Sequence, residues 1–120
     1  MCEDQGWSKT IIGSGFETKY VPSSVVMHSH DYTFFKTIQR YFDTAHAFKM
    51  ILGKNFRIGK TGTHYMVAEL KYIFKNGPSN IHLVFVNNIA KIVGVFFGIH
   101  AHKLPIKASR FLSMHKYYWN

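Results

Sequence analysis

The chain has 120 residues, 47% apolar and 17% aromatic, with 15 basic and six acidic side chains and a net charge of +9. That length holds one domain, 1–120, with a real core and leaves no room for two, and that composition excludes intrinsic disorder. The lone cysteine, Cys2, excludes a disulfide framework and a thiolate metal cluster and fits a reducing compartment. Glu3 and Asp4 with no apolar run behind them exclude a secretory signal, so the default location is intracellular. Lys9 to Ile12 reads as a short strand, Gly13-Ser14-Gly15 as a turn and Phe16 to Tyr20 as a second strand. Pro22-Ser23-Ser24 interrupts, and Val25-Val26-Met27 resumes pairing at an edge.

From Asp31 the pattern is helical. Phe34, Phe35, Ile38, Tyr41, Phe42 and Ala45 recur on one face, with Lys36, Thr37, Gln39, Arg40, Asp43 and Thr44 opposite, and Asp31 is the expected N-cap. Phe48 to Leu52 alternates as a strand, Gly53-Lys54-Asn55 has turn chemistry, and Phe56-Arg57-Ile58 returns, which together predict a hairpin. Thr63 is placed to cap a short helix over 64–75, built on Met66, Val67, Leu70, Ile73 and Phe74. Asn76-Gly77-Pro78 breaks it, and Ser79 is the expected N-cap of the longest apolar run in the chain.

That run, to Leu104-Pro105, fails a period-2 test and fits a period of 3.6. Asn87, Lys91, Gly94 and Gly98 form one line along a helix over 79–101, and Val84, Phe85, Ile89, Ile92, Val93, Phe96 and Phe97 cover most of the rest. Three readings compete. Gly94-x-x-x-Gly98 is the small-residue spacing of membrane helices, but Lys91 at mid-span opposes spanning by about 2.5–3.5 kcal/mol. The other two are a central core helix, and a core helix whose polar and glycine stripe stays open for a partner protein. The basic, aromatic tail 107–120 is either a further turn or two of helix or mobile, and the first ~20 residues share that expectation of mobility.

The sequence carries little that points to catalysis. His28-x-His30-Asp31 and His100-x-His102 are the only paired histidines, the second pair diverges on a helix, and neither has a carboxylate or thiolate set suited to zinc. The six acids form no acid/base pair, Cys2 lacks an activating environment, and Gly59-Lys60-Thr61-Gly62 lacks the first glycine of a phosphate loop. No enzyme, metal or cofactor is expected. Residues 44–120 hold one acid, Glu69, against eleven bases, which attracts polyanions. Lys49, Lys54, Arg57 and Lys60 on the hairpin are placed for RNA phosphate contacts without base reading.

The order of elements from Phe48 to Ile106, through FKMILGKNFRIG, MVAELKYIF, VNNIAKIV and GIHAHKLPI, resembles the Mago nashi family, a core subunit of the exon junction complex, as does Ile38 to Asp43. The resemblance implies an α+β fold, an antiparallel sheet with two long helices packed on one face. It also implies a non-enzymatic interaction module in mRNA splicing, processing and nonsense-mediated decay, nuclear and shuttling to the cytoplasm, with no membrane contact. The implied partners are an RNA-recognition-motif protein and a DEAD-box helicase. The implied partner-binding residues are Lys36, Gln39, Arg40, Asn88, Lys91, Val95, Phe96 and Ile106. The alternatives are a small basic RNA-binding protein, ribosomal or otherwise, and a dynein-light-chain-like homodimeric adaptor, suggested by Phe42-Asp43 followed by Met50 to Phe56.

Overall fold

The computed structural model describes residues 3–25, 32–53 and 60–120. Five helices carry the described chain: α1 (Glu3–Gly13), α2 (Phe34–Leu52), α3 (Lys60–Asn76), α4 (Ile81–Ile99) and α5 (Ile106–Leu112). Short 3-10 turns stand at Pro78–Asn80, Ala101–Lys103 and Lys116–Trp119. No strand occurs among the described residues, so the antiparallel sheet, and with it the α+β class, is overturned.

The error has a physical source at each expected strand. Lys9 to Ile12 lies within α1, where Thr10 Oγ1 donates to the Gly6 carbonyl and Lys9 Nζ to that of Ile51. Phe16 to Tyr20 is exposed and irregular. Phe48 to Leu52 belongs to α2, because nothing between Ala45 and Gly53 breaks a helix, and five apolar-rich residues fit either period. Gly53 ends it at φ +59°, a conformation that favours glycine, and its N–H donates to the Lys49 carbonyl. The remainder of the expected hairpin, 54–59, and the Val26-Met27 edge lie outside the described residues.

α2 begins two residues later than Asp31 suggested, and Asp31 itself lies outside the described residues. Thr33 is the cap, extended at ψ 162°, with Oγ1 accepting from the Lys36 N–H at 3.4 Å. Ile38, Phe42 and Ala45 are its buried stripe. α3 starts at Lys60, which puts Thr63 inside the helix, and α4 follows a Pro78 turn capped by Gly77, so Ser79 does not cap it.

α2 and α4 form the principal interface. The Gly94/Gly98 line faces α2, not an absent partner. A Cβ on Gly94 would stand 2.8 Å from Tyr41 Cβ and closer still to the Ile38 carbonyl; one on Gly98 would stand 2.9 Å from Ala45 Cβ and against the Phe42 carbonyl. The two backbones therefore approach as only glycine permits. After α4, Leu104 turns extended and Pro105 caps α5. The last residues fold back on α2, with Phe35–Phe111 ring centroids 5.1 Å apart and Phe42–Trp119 5.8 Å apart.

The described fold is open. Its radius of gyration is 16.4 Å, against about 14 Å for a compact domain of this length. Its buried apolar residues are few (Ile38, Phe42, Ala45, Ala90 and Ala101), while Trp7, Tyr20, Tyr65, Phe74, Phe85 and Tyr117 stand in solvent.

Candidate functional site

The polar centre of the molecule lies where the C-terminal segment meets α2. Asp43, 8% exposed, projects from the α2 stripe beside Phe42. Its Oδ1 accepts from Ser113 Oγ at 2.6 Å and its Oδ2 from the Met114 N–H at 2.8 Å. Ser113, with no exposed surface, accepts in turn from the His115 N–H at 2.9 Å, and Tyr117 Oη lies 3.1 Å from His115 Nδ1. One turn back on α2, Gln39 Nε2 donates to the Phe111 and Ser113 carbonyls at 3.0 and 3.4 Å. These bonds tie residues 111–115 to the helix.

Beside this clamp is a cavity of about 250 Å³ whose walls include Asp43, His46, Met50, Ser113, His115 and Tyr117. The His46 ring stacks obliquely on Trp119, with centroids 4.9 Å apart, and meets Tyr118 edge-on. Burial pushes the His46 pKa below the ordinary histidine value; Asp43 opposes the shift, and His102 and Lys49 add to it. At neutral pH the imidazole is thus uncharged. The Ser113 hydroxyl is spent on Asp43 and fully buried, so the cluster orders the chain end and is not built as a nucleophile.

The expected site residues do not form one surface. Gln39 serves the clamp. Arg40 donates to Tyr32 Oη at 2.7 Å with its guanidinium 5.1 Å from the ring centroid. Lys91 pairs with Glu69 at 2.9 Å, and Asn88 is 5% exposed with neither amide atom hydrogen-bonded. Lys36, Phe96 and Ile106 are exposed, and Val95 is half-buried. Of the residues assigned to RNA phosphates, Lys49 Nζ donates to the Ile99 carbonyl at 3.0 Å and Lys60 opens α3. Lys54 and Arg57 lie outside the described residues, as does the His28-x-His30 pair. His100 Nδ1 sits 2.8 Å from the Phe96 carbonyl, and no cluster of metal-ligating side chains occurs among the described residues.

Sequence reasoning missed Asp43, His46, Ser113, His115 and Trp119. Asp43 was placed on the solvent side of α2; its position directly after the stripe residue Phe42 was the available signal, together with the aromatic density of 117–119.

No family model matches the chain, and neither does any solved structure. Two curated proteins are similar to it from end to end. One is an O-antigen chain rhamnosyltransferase, RfbN, of Salmonella typhimurium, 34% identical over 123 residues. The other is an O-antigen chain rhamnosyltransferase, WbaN, of Salmonella anatum, 33% identical over 123 residues. The chain spans 39% of the length of each.

These similarities overturn the Mago nashi resemblance, whose shared features were apolar spacings that unrelated helices also carry. The exon-junction function, the ribosomal and dynein-light-chain alternatives, and the non-enzyme reading fall with it. So do the mRNA-processing role, the RNA-recognition-motif and DEAD-box partners and the nuclear location, since the similar proteins are bacterial O-antigen chain rhamnosyltransferases.

Proposed function

We propose that this chain contributes a helical segment to a glycosyltransferase that adds rhamnose to an O-antigen chain. The observation that carries the reading is the similarity of the whole chain to a stretch of two rhamnosyltransferases.

Sugar transfer needs a base for the acceptor hydroxyl and positive charge or hydrogen-bond donors for the leaving group. Among the described residues the acids packed between helices are already engaged: Asp43 accepts two hydrogen bonds, and Glu69 holds Lys91. Support therefore favours a scaffolding part for the described helices, with α2 as the spine and the clamp fixing the chain end against it. The cavity beside His46 is the place on this scaffold where aromatic and hydrogen-bonding groups converge, as they do in sites that bind neutral polar ligands. Segment exchange tests the reading: this chain replaces the matching stretch of the Salmonella typhimurium enzyme, and O-antigen on the cell is the readout.

A further inference from the structure

We propose that the outer face of α4, formed by Phe85, Ile89, Ile92 and Phe96, rests on an anionic bilayer surface, with the helix lying in the plane of the interface.

These four residues recur at i, i+4, i+7 and i+11 and are 40–62% exposed. On a helix they stand roughly 180° from Gly94 and Gly98, which are sealed against α2. The stripe contains no charged side chain. The one Lys or Arg of α4, Lys91, is turned to α3 and paired with Glu69. The segment Pro78–Ile99 is long and apolar enough to cross a membrane, yet only 22% of its apolar window is buried within the molecule. A core helix of such composition would be covered.

Charge identifies what covers it. Lys71 and Lys75 precede the helix and Lys103 and Lys107 follow it, all exposed. Glu69 is the sole acid among 44–120, and Lys91 engages it. An apolar strip with cations at both ends complements acyl chains framed by anionic headgroups. A second copy is disfavoured, because two chains of +9 repel. Crossing the bilayer is disfavoured too. α4 is locked along its glycines to α2, which carries Lys36, Arg40, Asp43 and Lys49, and those charges would have to enter hydrocarbon with it.

Vesicle sedimentation of the chain decides the matter, and it needs no sugar transfer, so this inference and the transferase reading can fail separately. The probes are phosphatidylglycerol–phosphatidylethanolamine vesicles and phosphatidylcholine vesicles. The chain and a Tyr20→Ser control bind the anionic vesicles, with affinity falling as salt rises. Ile92→Glu/Phe96→Glu binds at least about tenfold more weakly. Phe85→Ser/Ile89→Ser, which adds no charge, shows a loss in the same direction, and circular dichroism shows helix retained in both. The proposal is overturned by undiminished binding of both folded variants or by equal binding to phosphatidylcholine. It is equally overturned by a concentration-dependent dimer that the substitutions dissolve.

Discussion

Asp43 and Ser113 stand 70 positions apart in the chain and 2.6 Å apart in the fold. No spacing rule connects residues so distant, which is why the clamp was illegible in the sequence although each member was visible. Replacing Asp43 with Ala leaves the Ser113 hydroxyl and the Met114 N–H without acceptors in a buried place, at a cost of about 1–3 kcal/mol. Denaturant unfolding of Asp43→Ala is expected to show that loss; a change within about 0.5 kcal/mol, the range of an ordinary surface substitution, would mean the clamp is ornamental to stability. His46 adds a pH dependence. Its folded pKa lies below the unfolded value of 6.5, so the unfolded chain takes up the proton first as pH falls. The stability involved is whole above 6.5 and is lost as pH drops from there through the lowered folded value. His46→Gln is therefore expected to lose less stability than the parent when unfolding is compared at about pH 7.5 and about pH 5.5. An identical pH slope in parent and variant contradicts the assignment.

Among the elements, the long helices α2, α3 and α4 were legible, whereas α1 was read as a strand and none of the expected strands occurs among the described residues. The 3.6 period over 34–45, 66–74 and 84–97 marks α2, α3 and α4, and the line of Gly94 and Gly98 was visible on the last. What the period did not reveal was that α2 runs on to Leu52, since FKMIL satisfies both periods, or that its neighbour seals the glycine line. That contact gives a sharp prediction. Ala in place of an unconstrained mid-helix glycine gains about 1 kcal/mol. At Gly94 or Gly98 the added Cβ meets helix backbone instead, and overpacking of this kind costs about 1–3 kcal/mol. Gly94→Ala and Gly98→Ala are expected to lower the melting temperature, while Gly13→Ala, which meets no atom within 4 Å, is not. A stabilised Gly98→Ala protein would show that the helices stand further apart. The Lys91–Glu69 pair that links α3 to α4 is part-exposed, so its loss should cost no more than about 1 kcal/mol.

The whole molecule joins a small buried core to a wide apolar exterior and an excess of positive charge. Anything that binds only the folded form would stabilise such a chain by mass action. The proposed bilayer contact of α4 would supply one such support. Function was the least legible property. Soft apolar motifs suggested an mRNA-associated family, whereas the chain is similar to a stretch covering 39% of two O-antigen chain rhamnosyltransferases. The reason is physical: apolar spacing encodes which faces pack, and many unrelated helical proteins pack the same way. The central claim is that these helices do the work of the matching segment in those enzymes. Its most direct measurement is the length distribution of O-antigen in Salmonella cells whose RfbN carries this chain in place of that segment. The account predicts that polymer is restored, and that Gly98→Leu in the exchanged segment, which breaks the α2–α4 contact, abolishes it. A folded, stably expressed exchange protein that leaves the cells without O-antigen would contradict it.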